Sequence, residues 1–71
     1  MKRTPVTSSN LASVGYDSTS QTLEIEFQNR SVYQYFAVPE DVYNELMQAV
    51  SLGSYFNDWI RGAFSYRKVS R

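Results

Sequence analysis

Thr22-Leu23-Glu24-Ile25-Glu26-Phe27, followed by Gln28-Asn29-Arg30-Ser31 and then Val32-Tyr33-Gln34-Tyr35-Phe36, is the stretch that decides the fold. Leu23, Ile25 and Phe27 alternate with Glu24 and Glu26, so a period of two puts the apolar side chains on one face and the carboxylates on the other. That reads as a strand with its glutamates toward water. A polar turn with Asn29 and Ser31 follows, and residues 32–36 are rich in β-formers, so the whole stretch reads as a hairpin.

Loop length decides where Tyr33 and Tyr35 point. With a two-residue loop, Asn29-Arg30, Ile25 faces Gln34 and the tyrosines stand beside Glu24 and Glu26 as an aromatic platform in water. With a three-residue loop, Gln28-Asn29-Arg30, Ile25 faces Tyr33 and Leu23 faces Tyr35. The rings then join the core, and Val32 and Phe36 turn to water. A slip of one residue exchanges the two arrangements. A type I′ turn needs positive φ at both loop positions, which Asn29 accepts and Arg30 resists, whereas the longer loop needs it only at Arg30. Backbone strain favours the buried arrangement; both registers stay open at this point.

Outward from the hairpin, residues 11–16 read as an earlier strand with Ala12, Val14 and Tyr16 on one face, and residues 17–21 as a turn. Residues 1–9 read as an extended leader and residues 10–71 as a single domain. After the hairpin the period changes. Pro39 suits a first helical position, Glu40 and Asp41 suit a first turn, and Val42, Leu46, Ala49 and Val50 recur at helical spacing over residues 39–50. Ser51 or Ser54 can cap a second helix with Leu52, Phe56, Trp59 and Ile60 on one face, ended by Gly62. Residues 63–71 look extended. The expected class is α+β: a three-stranded antiparallel meander followed by two short helices packed on one sheet face, in the order βββαα.

Composition narrows the chemistry. The chain has 71 residues, no cysteine and no histidine. It therefore has no disulfide, no thiolate, no zinc-finger ligand set and none of the usual neutral-pH general bases. Eleven aromatic residues, 15% of the chain, with zero net charge argue for a folded domain over a disordered one. No apolar run spans a bilayer or forms a signal peptide, so a cytoplasmic setting is expected. The zero charge is unevenly spread: residues 17–58 hold all seven acids, and residues 59–71 hold Arg61, Arg67, Lys68 and Arg71 with no acid. Such a basic end reads either as a solvated tail or as a landing site for an anion.

Four spaced motifs stand in order along most of the chain. They are Ser9-Asn10-Leu11-Ala12-Ser13-Val14-Gly15-Tyr16-Asp17, then Leu23-x-Ile25-x-Phe27, then Tyr33-x-Tyr35-x-x-Val38-Pro39. The last is Ala49-x-Ser51-x-Gly53-x-Tyr55-Phe56-Asn57-x-x-Ile60-Arg61. Together they resemble the KTSC domain. The resemblance implies a small domain found at the C-terminus of some lysyl-tRNA synthetases and as free-standing bacterial proteins, with its Tyr-x-Tyr motif at Tyr33 and Tyr35. The synthetase association suggests RNA binding. In one departure, Arg30 stands where the family usually has glycine after the turn asparagine.

Catalysis is poorly supported, and the chain reads as a non-enzyme. Glu24 and Glu26 are the best carboxylate pair, and both read as solvated surface. The serines have no histidine partner, the three glycines form no phosphate loop, and the acids do not follow a calcium-loop spacing, so no cofactor and no metal are expected. Two binding classes remain. One is RNA, or tRNA, stacked on Tyr33 and Tyr35 and held by Arg61, Arg67 and Lys68, with the two glutamates as an obstacle beside the platform. With Arg71 the three basic residues make four cations, which on phosphates would give a log–log salt slope of about −3. The other class is a protein-interaction module or small homo-oligomer using surplus aromatics, with Tyr43 and Tyr55 as candidates. Asp58, three residues before Arg61, is the candidate partner for that cation.

Overall fold

In a computed structural model that describes residues 1–70, five strands form one antiparallel sheet in sequential order. They are β1 (Thr4–Pro5), β2 (Leu11–Asp17), β3 (Thr22–Phe27), β4 (Val32–Tyr35) and β5 (Tyr66–Ser70). Helix α1 (Glu40–Gln48) and helix α2 (Leu52–Tyr55) lie between β4 and β5, and α2 runs directly into a π-helical turn at Phe56–Ile60. The α+β class holds. The expected meander of three strands is corrected to a sheet of five, because both extended chain ends join its edges: β1 on β2 and β5 on β4. The N-terminal end carries no alternating apolar pattern, and at the C-terminal end only Phe64 and Tyr66 alternate, with Ser65 and Arg67. What seats them is backbone pairing with strands already formed.

The β3–β4 ladder pairs Ile25 with Tyr33 and Leu23 with Tyr35, which is the three-residue-loop register. Phe27 N–H donates to the Ser31 carbonyl and Arg30 N–H to the Phe27 carbonyl, and Arg30 carries the left-handed φ of 74° that such a loop demands. Tyr35 is buried at 5% exposure and Tyr33 is half-buried. Val32, expected in water in this register, is instead buried, since β5 now flanks it opposite the β3 side. A bulge in β2 between Leu11 and Ser13 also alters a face: Leu11, Val14 and Tyr16 stand opposite Phe27, Ile25 and Leu23, and Ala12 drops out of the inward set.

Leu11, Val14, Leu23, Ile25, Tyr35, Val38, Leu46, Phe56 and Ile60 make one core between the sheet and the helices. Each fully buried aliphatic side chain there contributes roughly 1.5–3 kcal/mol. Helix α1 begins after Pro39, which serves as its N-cap, and stops at Gln48, so Val50 lies beyond the helix and fully exposed. Ser51 caps α2 by accepting from Ser54 N–H. The π-turn then inserts one extra residue per turn, with Arg61 N–H donating to the Phe56 carbonyl. Phe56 and Ile60 stay in the core, while Trp59, expected beside them, swings out to 64% exposure. Gly62, at φ 80°, ends the segment. Among the described residues, no helix is long and apolar enough to cross a membrane.

The outer sheet face differs most from expectation. Glu24 and Glu26 do point away from the core, but the N-terminal segment lies across them. Arg3 donates from Nε to Ser13 Oγ and pairs through its guanidinium with Glu24, which also accepts from Gln34 Nε2 at 2.8 Å. Ser13 Oγ donates to Glu26 Oε1 at 2.8 Å. Glu24 is thereby buried at 6% exposure. Burial pushes its carboxyl up, but the hydrogen bonds from Gln34 and Arg3 and the charge of Arg3 outweigh this and hold it below its ordinary value.

Candidate nucleic-acid interface

Five aromatic rings converge where β3, β4, β5 and the π-turn meet. Phe27 meets Tyr33 edge-on at 5.7 Å and Phe56 at 5.3 Å, and Phe56 meets Tyr35 edge-on at 5.5 Å. Tyr66 on β5 lies 5.8 Å from Tyr33 and 5.7 Å from Tyr35, because the β4–β5 ladder sets it directly opposite Tyr35. Edge-on and tilted pairs of this kind add about 0.5–1.5 kcal/mol each beyond their burial. The cluster is rigid at its base and open at its top, where Tyr66 remains 60% exposed.

Above these rings runs an open groove of about 720 Å³. Tyr33, Tyr35 and Tyr66 form its floor, and Asn10, Gln28, Asn29, Asn57 and Arg61 form its polar rim. Among the described residues, no carboxylate lines it. Asn10 reaches the rim because Gly53 has no side chain: a Cβ there would stand 2.9 Å from Asn10 Nδ2. Gln28 is fixed by donating from Nε2 to the Ser8 and Leu11 carbonyls. Burial, with the neighbouring Tyr33 and Tyr66 hydroxyls adding to it, pushes the Tyr35 phenol up to about 12, against the smaller opposing effect of Arg61. Tyr35 is therefore a neutral hydroxyl at any physiological pH.

The expected site residues divide. Tyr33, Tyr35 and Arg61 come together at the groove. Lys68 stands opposite Tyr33 across the β4–β5 ladder and shares its face, just beyond the groove. Arg67 stands opposite Gln34 and so belongs to the other face of the sheet, with Glu24. The alternation of a strand separates these two neighbours, so the basic end is not one patch. Arg71 lies outside the described residues. Arg61 does not pair with Asp58; its guanidinium donates weakly to Asn57 Oδ1 at 3.4 Å, a consequence of the wider π-turn. Tyr43 stacks on Tyr16 at 4.8 Å, and Tyr55 donates to Glu45 Oε1 at 2.8 Å, so both are half-buried packing residues.

Sequence reading overlooked Phe27, Phe56, Asn10 and Asn57 as groove residues. Asn10 and Asn57 sit inside the spaced motifs quoted above, which was the available signal. The two phenylalanines read only as core.

Residues 7–64 match the KTSC domain. A lysine–tRNA ligase of Trichormus variabilis is 51% identical over 55 residues, which cover 78% of this chain but only 10% of that ligase. An uncharacterized protein of Stutzerimonas stutzeri is 49% identical over 57 residues, 80% of each chain. The crystal structure of a KTSC domain protein from Yersinia pestis superposes with a TM-score of 0.95 at 43% identity, covering 97% of both chains.

Proposed function

The chain belongs to the KTSC domain family, and from that premise we propose that it is a small non-catalytic binding domain whose aromatic groove takes single-stranded RNA, tRNA being the first candidate. One observation carries the reading: three tyrosines and Arg61 share a groove that no carboxylate of the described residues lines. Glu24 and Glu26, the obstacle foreseen beside a tyrosine platform, lie on the opposite sheet face with Arg3 and Ser13. Exposed aromatic faces offer stacking worth about 1–3 kcal/mol per base, and Arg61 and Lys68 offer phosphate contacts on the same side. The lysine–tRNA ligase relatives are consistent with such a partner but span far more than this domain.

Direct binding of labelled tRNA and of mixed single-stranded RNA at low salt tests this. Saturable binding that Arg61→Ala weakens without lowering the melting temperature is the expected result. Absence of binding at low salt, where electrostatic attraction is strongest, overturns it. A protein partner is the second reading, favoured by Trp59 standing 64% exposed beside Tyr55, at 6.4 Å between rings. Such a contact would be nearly indifferent to salt.

A further inference from the structure

The groove is short, its floor is crowded, and its rim is mostly amide. Centroids of Tyr33, Tyr35 and Tyr66 are 5.7–6.5 Å apart. A base inserted between two rings needs twice the stacking distance of roughly 3.4 Å, so none fits between them. A base must lie on the open face of Tyr66 instead, with the Tyr33 ring inclined to it at 50°. The groove volume, about 720 Å³, falls within the range of sites for one small ligand, about 300–1,000 Å³.

The rim chemistry limits the ligand further. Asn10 and Asn57 each present an amide, which offers a donor and an acceptor side by side, the pattern that matches the hydrogen-bonding edge of a base. Among the described residues, cations are sparse on this side. Arg61 lines the groove and Lys68 flanks it, while Arg67 is turned to the opposite face by the strand alternation. A surface that tracks a strand over many nucleotides would need a row of cations on one face, and the ladder register breaks that row.

Resting on the RNA reading above, we infer that the groove holds one unpaired nucleotide of an RNA, its base stacked on Tyr66 beside the inclined ring of Tyr33 and its edge met by Asn10 and Asn57. Its phosphate lies between Arg61 and Lys68. The domain then recognises a flipped-out or terminal nucleotide rather than a length of strand. Because the stacked face is indifferent to base identity, discrimination comes from the two amides.

The four ribonucleoside 5′-monophosphates and homopolymer oligonucleotides of one to eight residues are titrated against the intact protein, at several salt concentrations. Mononucleotides are expected to compete fully with the longer RNA, and affinity to level off after about two nucleotides. One phosphate neutralised on a single strand gives a log–log salt slope of about −0.7, roughly a quarter of that expected of four phosphates. Arg61→Ala weakens binding and flattens its salt dependence, and Arg67→Ala leaves both unchanged. Asn10→Ala reduces the spread among the four nucleotides without lowering thermal stability, Asn10 being an exposed side chain.

Affinity that keeps rising with length, a slope near about −3 and weakening by Arg67→Ala would overturn the one-nucleotide site while leaving RNA binding intact. Equal affinity for all four nucleotides, unchanged in Asn10→Ala, would remove the amide readout. No binding of any RNA at low salt removes the underlying reading together with this one.

Discussion

Tyr35 stands directly opposite Leu23 across the β3–β4 ladder, with its ring edge-on to Phe56 and its hydroxyl side at the groove. One ring thus serves the core and the candidate site at once. Tyr35→Ala is expected to cost about 3 kcal/mol of folding stability, the usual loss for deleting a buried aromatic ring. A urea titration measures it, and a loss below about 1 kcal/mol would mean that the ring is not packed as described.

High pH should act on the same residue. The Tyr35 phenol is raised from 10.0 to about 12, first by burial and then by Tyr33 and Tyr66. The folded state therefore holds its proton more tightly than the unfolded state does. The associated stability is complete below pH 10 and is lost as pH rises from there through about 12. Tyr35→Phe removes this group, so its unfolding midpoint should fall less steeply across that window. Tyr55, raised to about 12 by burial and then by Glu45, contributes in the same direction and requires Tyr55→Phe as a parallel control.

Arg30, like Gln21 and Ala37 elsewhere in the chain, holds a left-handed conformation that its side chain opposes. Its φ of 74° is left-handed, and its N–H is held by the Phe27 carbonyl. Arg30→Gly keeps that hydrogen bond and relieves strain, so a gain of about 0.5–1 kcal/mol is expected in equilibrium unfolding. A loss would show that the guanidinium has a partner that outweighs the strain.

Arg3 and Glu24 clamp the N-terminal segment over the outer sheet face. Because Glu24 is lowered in the folded state, its contribution is present above the ordinary carboxylate pKa and disappears as pH falls through the folded value. Arg3→Ala should cost about 1.5–3 kcal/mol at neutral pH, as expected for a hydrogen bond to a charged group. It should also move the acid-unfolding midpoint upward. Identical acid profiles for the two proteins would count against the clamp.

Gly15 makes room for that segment. A Cβ at Gly15 would stand 2.7 Å from the Lys2 carbonyl oxygen, a backbone atom that cannot step aside. Gly15→Ala should therefore lift residues 1–6 from the sheet, seen as faster amide exchange at Val6, whose N–H donates to the Ala12 carbonyl. Unchanged exchange there would mean that the segment accommodates the methyl group.

Much of this architecture was written locally. The alternation of Leu23, Ile25 and Phe27, the turn residues after them, the proline and acids before α1 and the serine before α2 are short-range signals, and each produced the element it announced. Even the tyrosine register was nearly legible, because the strain of a positive φ at Arg30 was smaller in one loop than in two positions of the other. Tertiary structure decided the rest. Whether Glu24 met water depended on Arg3, twenty-one residues away. Whether Trp59 was core or surface depended on a π-turn that no period of 3.6 anticipates. Whether Arg67 and Lys68 acted together depended on β5 pairing with β4, a contact across about thirty residues of intervening chain. The sequence determined elements because periodicity and turn chemistry act within a few residues. It left undetermined which side chains share a face or a groove, because that is fixed only when distant segments exclude water from one another.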